Sequence, residues 1–192
     1  MRKAIAAFLA LMLVASSAAL AEPAWMDYDC GHFTISFPED IDGYIDDEIV
    51  SNQPFVMLYQ DYDANATFNK SLNVVWSSEL LDLAAADPDL YAQQILDASI
   101  MTYEMLGITV TDPVISFAEF GDMLGKPMLS FMYRTTMDYS GLGIDEQWTL
   151  YTVQVMVPDE AFEGTYTFTL TTDDWSDTRL LMDVSNSIVW ND

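Results

Sequence analysis

The stretch "TYTFTLTT", Thr165–Thr172, decides the fold. Tyr166, Phe168 and Leu170 alternate with threonines, and a period of two places neighbouring side chains on opposite faces of a β-strand. Threonine, tyrosine and phenylalanine are also the residue types that strands favour. One apolar face and one more polar face are typical of a largely antiparallel sheet.

Other segments carry the same strand signal. The run Phe33–Phe37 alternates in the same way and ends at Pro38. The further predicted strands are Pro54–Gln60, Leu72–Ser78, Pro113–Phe120, Pro127–Asp138 and Glu146–Val157. Together with Thr165–Thr172 they make strands the dominant element of the chain.

A long helix is predicted between the third and fourth of these seven strands, Leu72–Ser78 and Pro113–Phe120. Asp87 is a suitable N-cap and Pro88 suits the first helical position, while Gly107 suits a left-handed C-terminal residue followed by an apolar Ile108. The periodicity predicts a buried stripe on this helix, comprising Tyr91, Ile95, Ala98, Thr102 and Met105. The residues that widen this stripe are Leu90, Ala92, Leu96 and Tyr103.

A second helix is predicted at the C-terminal end. It begins near Asp173 and Asp174, whose charges suit a helix N-terminus. Its predicted buried face comprises Leu180, Leu181, Val184 and Ile188. Strands followed by a helix, more strands and a second helix indicate an α+β fold, in which helices cover a mostly antiparallel sheet.

The N-terminal residues 1–21 are predicted to be a secretory signal peptide. Arg2 and Lys3 precede an apolar run, and Ala19-Leu20-Ala21 matches a cleavage site. The alternative is an uncleaved membrane anchor. Cleavage leaves 22–192 as a single domain, extracytoplasmic and not inserted in the membrane. A lone cysteine in such a domain forms no internal disulfide.

The charge balance is strongly acidic, with 31 Asp and Glu, 6 Lys and Arg, and a net charge of −25. Nucleic acid and anionic membranes are excluded as partners, because a polyanion gains no counterion release from such a surface. The acids are scattered along the chain, which favours solubility or salt adaptation. Cation binding and docking onto a basic partner are the alternatives.

The order of strands and helices resembles the PsbP-like superfamily, which includes a Ran-binding nuclear-import factor and small exported bacterial proteins. The segments that carry the resemblance are "GHFTISFP", "SLNVVW", "MLGKPMLSFMY", "GTYTFTLTT" and "VSNSIVW". The resemblance implies an α-β-α sandwich around a central antiparallel sheet. It implies binding or assembly and no catalytic residues. The superfamily also includes the PsbP subunit of the photosystem, but its photosynthetic role is not implied here, because no residue of this chain matches a photosystem-docking motif.

Cys30 and His32 are the single cysteine and the single histidine, and they lie two positions apart. A nucleophilic thiol needs a base and an electropositive setting. The neighbours Asp27, Asp29 and Glu39 instead raise a thiol pKa. We therefore predict that both residues have a structural role at the edge of the first strand.

A calcium site is the one metal site that the sequence suggests. Asp61, Asp63 and Asn65 match the start of a calcium loop, but Ala66 and Leu72 replace its glycine and its bidentate glutamate. A solvated hairpin loop explains the same pattern. Two carboxylates of the acidic segment from Pro38 to Glu48 could likewise form the catalytic pair of a glycosidase. With 31 Asp and Glu in the chain, however, neighbouring carboxylates are expected by chance.

No nucleophile elbow, zinc-protease helix, phosphate loop or cysteine quartet occurs in the sequence. We therefore expect a non-enzymatic module without a cofactor that binds an unidentified protein or small ligand. The alternative is a calcium- or salt-dependent stability module, and a third possibility is a hydrolase with a carboxylate pair.

Overall fold

The structure, a computed structural model, describes residues 25–38, 43–45, 55–61 and 70–191. Only the backbone is described for 38, 43–45 and 55–61. The predicted signal peptide lies outside these ranges, so its cleavage remains a prediction. Within the described residues no helix has the length and apolar character needed to cross a membrane.

Ten strands and two α-helices make up the described part of the chain. The strands are β1 (Trp25–Asp29), β2 (Phe33–Pro38), β3 (Gly43–Ile45), β4 (Phe55–Asp61), β5 (Ser71–Ser77), β6 (Thr109–Met123), β7 (Lys126–Asp138), β8 (Gln147–Asp159), β9 (Gly164–Thr172) and β10 (Val189–Trp190). The helices are α1 (Pro88–Met105) and α2 (Thr178–Asn186). Two short 3₁₀ turns cover Ser140–Leu142 and Trp175–Asp177.

The strands form two sheets, and every pair among the described strands is antiparallel. The larger sheet has seven strands in the order β3-β4-β5-β9-β8-β7-β6, and the smaller has three in the order β1-β2-β10. The predicted α+β class with a mostly antiparallel sheet is confirmed. The strand that opened the sequence analysis, β9, lies in the middle of the larger sheet.

The two faces of the larger sheet carry separate cores. Helix α1 packs against β6 and β7 on one face, while α2 and β2 cover the other, where α2 contacts β8 and β9. The core on the α1 face contains Ala92, Leu96, Leu129, Phe131, Tyr133 and Met156. The core on the α2 face includes Phe33, Ile35, Phe37, Leu72, Val74, Val155, Val157, Tyr166, Phe168, Leu170, Leu181 and Val184. This layering is the α-β-α sandwich that the resemblance implied.

The prediction of one polar face is wrong for β7, the strand next to the β6 edge. Five consecutive residues, Leu129–Tyr133, are buried. Their side chains point alternately to both faces, and each face is covered, by α1 on one side and by α2 with β2 on the other. In β9 the expected alternation does hold: Tyr166, Phe168 and Leu170 are buried, and the threonines between them are half-buried.

The ends of α1 agree with the prediction, and its buried face agrees in part. The side chain of Asp87 accepts a hydrogen bond from the Leu90 N–H, with Pro88 in the first turn, and Gly107 is left-handed with φ +84°. Of the predicted stripe, however, Ala98, Thr102 and Met105 are exposed. The buried residues are Ala92 and Leu96, next to half-buried Tyr103. Ala92 and Leu96 belong to the predicted widening of the stripe, and half-buried Tyr91 and Ile95 pack against the same core. The buried face is therefore shifted to one side of the predicted stripe and is shorter at its C-terminal end.

The predicted start of α2 is also early by several residues. Asp174 caps the preceding 3₁₀ turn by accepting a hydrogen bond from the Ser176 N–H at 2.8 Å, and α2 itself begins at Thr178. The predicted buried face is confirmed. Leu181 and Val184, followed by Ile188, are buried, and Leu180 is half-buried.

Candidate functional site

The hairpin that joins β6 to β7 turns in two residues, Leu124 and Gly125. Met123 pairs with Lys126 across the turn, and the φ angles of the two turn residues are +54° and +91°. Positive φ at both positions is the requirement of a type I′ turn, where asparagine followed by glycine is preferred. The Gly125 N–H donates to Oδ1 of Asp122 at 2.7 Å. Leucine is thus a strained residue at this position, and its side chain is 51% exposed.

A cleft of about 460 Å³ opens beside this turn, between the β6–β7 hairpin and α2. Its lining comes from four elements and from the turn, and more than half of it is apolar. The lining residues are Phe117, Glu119, Asp122, Met123, Leu124, Met128, Ser130, Val153, Val155, Leu181, Met182, Ser185 and Asn186. Apolar walls with a few polar groups are typical of binding sites in this range of volume.

Three large apolar side chains stand at the mouth of the cleft. Phe117 is 39% exposed, and Met182 on α2 is 66% exposed. With Leu124 they present apolar surface to solvent on both sides of the opening. Apolar surface clustered around a concavity marks an interaction site more often than scattered exposed residues do.

The charge of the cleft is negative. Among the described residues, Glu119 and Asp122 are the charged ones in its lining, and no described lysine or arginine contributes to it. The side chain of Met128 lies above Gly121, where a Cβ atom would come within 2.6 Å of the Met128 Cε. A flexible thioether in the floor can adjust to groups of different shape.

The strand that borders the cleft, β6, ends the larger sheet, and no described strand pairs with its outer side. Its N-terminal half carries Pro113, a left-handed Asp112 with φ +50°, and two register shifts against β7. These features protect an edge from pairing with another chain. From Phe117 to Met123 the pairing with β7 is unbroken, so this half of the edge is regular.

A network of polar and aromatic groups holds the turn end of the hairpin. Lys126 Nζ lies 2.5 Å from Oδ2 of Asp159 and 4.5 Å from the ring centre of Trp190. Burial acts to raise the pKa of Asp159, but hydrogen bonds and charge from Lys126, with the backbone N–H groups of Ala161 and Phe162, outweigh burial and lower it. The Trp190 indole N–H donates to the carbonyl oxygen of Met123 at 3.4 Å.

Cys30 and His32 lie in the turn between β1 and β2, and the strand itself starts at Phe33. Burial, and then the charge of Asp29, raises the pKa of Cys30 to about 11, as the acidic neighbourhood predicted. His32 stacks on Phe162 with ring centres 3.6 Å apart and its Nδ1 shares a hydrogen bond with the Tyr166 hydroxyl. At neutral pH the thiol is protonated and is therefore a poor nucleophile.

The candidate calcium ligands are not brought together by the described structure. Asp61 is the last residue of β4, with only its backbone described, and Asp63 and Asn65 lie outside the described residues. Within those residues no group of three His, Cys, Asp or Glu side chains is arranged to hold a metal. Calcium binding at the loop after β4 stays a prediction.

Sequence reasoning missed the cleft altogether. Met182 follows the buried Leu181 on α2 and carries no local mark of function. Leu124 does carry one, because a leucine before glycine between two alternating strands departs from the asparagine or aspartate that a two-residue turn favours. A strained residue at an exposed site is a reason to look for function there.

No protein-family model matches the sequence, and no curated protein matches it. Solved structures do match. The solution structure of cyanobacterial PsbP (CyanoP) from Synechocystis sp. PCC 6803 is similar, with a TM-score of 0.61, 14% identity, and coverage of 90% of this chain and 96% of that one. The Ran-binding protein Mog1p of Saccharomyces cerevisiae has a TM-score of 0.52, 13% identity, and coverage of 88% and 96%. The chain therefore has the PsbP/Mog1-like fold, and the resemblance seen in the sequence is confirmed at the level of fold.

Proposed function

We propose that the chain is an exported, non-catalytic binding or assembly module that holds an apolar part of another protein in the cleft between the β6–β7 hairpin and α2. The observation that carries the proposal is the cleft itself, with a volume of about 460 Å³ and exposed apolar side chains at its mouth. A protein that only needed to be stable would gain by closing this gap, because apolar surface left in water costs about 25 cal/mol per Å².

Two further observations support the proposal. Mog1p, which shares the fold, is a Ran-binding protein, so the fold serves protein binding in one of its known members. The protonated Cys30, the engagement of His32 with Phe162 and Tyr166, and the lack of a cationic side chain among the described residues of the cleft lining leave little for acyl or phosphoryl transfer. Export is supported by the signal-peptide pattern of residues 1–21.

The cleft is tested with N-phenyl-1-naphthylamine, a neutral fluorescent probe that stands in for an apolar side chain. We expect saturable enhancement of its fluorescence by residues 22–192, and at least a fivefold loss of affinity in Met182→Glu, which places a charge at the mouth. The matched control is Leu142→Glu, since Leu142 is also an exposed apolar residue but lies in the turn after β7. Equal binding by both variants, or no saturable binding by the parent, would contradict the proposal.

Assembly with another protein is tested by placing a photoreactive amino acid at Leu124 or at Leu142 and irradiating cells that export the protein. A discrete adduct is expected at Leu124 and lost when Met182→Glu is added. Adducts at Leu142 alone would assign the partner surface to a different part of the molecule.

The alternative, calcium-dependent stability, rests on the pattern of Asp61, Asp63 and Asn65. If it applies, millimolar calcium raises the Tm, and the rise disappears in the variant carrying Asp61→Ala and Asp63→Ala. An unchanged Tm removes it.

A further inference from the structure

The open half of β6 suggests how a partner is held at the cleft. Residues Phe117–Met123 form a regular strand whose outer side pairs with no described strand. Such an edge offers a row of backbone N–H and C=O groups to a second chain. Since this edge borders the cleft, one bound strand can use both the edge and the apolar lining.

The protection of the sheet edges is uneven. At the opposite edge of the larger sheet, β3 has only three residues, and very short edge strands resist pairing. In β6 the protective features, which are Pro113, the left-handed Asp112 and both register shifts, all lie before Phe117. In the larger sheet, the segment Phe117–Met123 is a regular stretch of described edge that lacks these features; β1, an edge of the smaller sheet, has five residues.

Charge decides between a second copy of this chain and a foreign partner. Glu119 and Asp122 lie on the open segment, and β6 contains no lysine or arginine. Two copies that paired edge to edge would bring these carboxylates together, and like charges across a strand pair are destabilising. Each copy also carries a net charge of −25, so self-association is opposed at long range as well.

We propose that β6 residues Phe117–Met123 bind an extended, basic segment of a partner protein by adding it as a strand to the sheet, with its apolar side chains in the cleft. This inference rests on the proposed function and specifies its partner. The edge supplies main-chain hydrogen bonds and the cleft selects alternate apolar side chains. Glu119 shares the cleft face of β6 with Phe117, whereas Asp122 has the opposite parity, so Asp122 selects lysine or arginine at the alternating positions.

The test uses a nonapeptide, acetylated and amidated, in which valine and phenylalanine alternate with lysine. Binding to residues 22–192 is measured by calorimetry at about 0.15 M salt, where the Debye length is about 8 Å and long-range attraction is screened. We expect saturable binding, with amide hydrogen exchange slowed in Phe117–Met123 and unchanged in Thr109–Ile115.

Two control peptides separate the two parts of the inference. The first has glutamate in place of every lysine, and the second has the five central amides N-methylated, which removes their hydrogen-bond donors. Each should bind at least tenfold more weakly. If the methylated peptide binds equally well, strand addition is refuted while use of the cleft stands. If the glutamate peptide binds equally well, the basic character of the partner is refuted.

Protein variants locate the effect. Asp122→Lys should weaken binding of the lysine peptide at least fivefold, whereas Glu104→Lys, the same reversal of charge on exposed α1, should leave it within twofold. Equal losses would mean that binding follows overall charge, and the inference would be overturned. If no peptide binds while N-phenyl-1-naphthylamine still does, this inference fails and the proposed function survives. If the probe fails as well, both fall.

Discussion

The two helices differ in length, and the difference explains where the sheet is closed and where it is open. Helix α1 has 18 residues and α2 has nine, which correspond to about 27 Å and about 14 Å at 1.5 Å per residue. The longer helix covers β6 and β7 on its face, while the shorter packs mainly on β2, β8 and β9. On the α2 face the β6–β7 hairpin therefore extends past its cover, and the cleft forms there.

The largest expected effect compares the closed face with the cleft mouth. Leu96 on α1 is 2% exposed, so Leu96→Ala should destabilise the fold by about 2–5 kcal/mol through lost burial and a residual cavity. Met182→Ala at the mouth should change stability by less than about 0.5 kcal/mol. Urea unfolding measures both, and similar losses would mean that the cleft mouth is packed as tightly as the α1 face.

The second prediction concerns the ion pair at the turn end of the hairpin. Lys126→Met leaves buried Asp159 without its partner and should destabilise the fold by about 2 kcal/mol. Arg179→Met, which changes an exposed cation on α2, should cost less than about 0.5 kcal/mol. Equal effects in urea unfolding would show that only total charge matters at this site.

The same pair gives a pH dependence with a defined sign. Because the folded state lowers the pKa of Asp159, its contribution to the free energy of unfolding is present above the ordinary aspartate value of about 3.9 and is lost as the pH falls through the folded pKa. Asp159→Asn should flatten the loss of stability below about pH 4. In Lys126→Met the folded pKa of Asp159 should rise, because burial is then opposed only by the backbone N–H groups, so the loss of stability in acid should be smaller than in the parent. Identical acid profiles for all three proteins would contradict the assignment.

The third prediction separates stability from binding at the turn. Leu124→Asn places a residue that tolerates positive φ in the turn and should stabilise the fold by about 1 kcal/mol, while weakening the binding of N-phenyl-1-naphthylamine. Glu163 has φ +52° in the turn between β8 and β9, so Glu163→Asn should give a similar rise in Tm without a change in probe binding. A Leu124→Asn protein that binds the probe as well as the parent would remove the functional reason for the strained leucine.

The smallest effect concerns the net charge of −25. Raising the salt from about 0.01 M to about 0.15 M shortens the Debye length from about 30 Å to about 8 Å and screens self-repulsion. The Tm should rise by a few degrees. A Tm that does not change with salt would indicate that the negative charges are already neutralised, for instance by bound cations. It would then favour a cation site at Asp61 and Asp63.

Local sequence patterns correctly predicted the features that depend on neighbouring residues alone. The alternation in β9, the Asp87 cap, the left-handed Gly107 and the buried face of α2 follow from side-chain period and backbone preference. The face of α1 followed only in part, because Ala98 and Thr102 fit a stripe that the sheet beneath does not contact. Helix rotation is set by the partner surface, which a single sequence does not contain.

The cleft could not be predicted for a related reason. It is a gap between segments about 60 residues apart in the chain, formed because α2 is short relative to the hairpin beside it. Phe117 and Met182 show no local signal that they share an opening. Leu124 is the one residue of the cleft that departs from its expected local preference. That departure is visible in the sequence only if a two-residue turn is predicted at Leu124-Gly125.

The most direct test of the central claim is a map of amide chemical shifts for residues 22–192 with and without N-phenyl-1-naphthylamine. We expect the largest changes in two segments, Phe117–Lys126 and Leu181–Asn186, with α1 unaffected. The largest changes on α1, or changes spread evenly over the sheet, would contradict the assignment of the cleft beside α2 as the binding site.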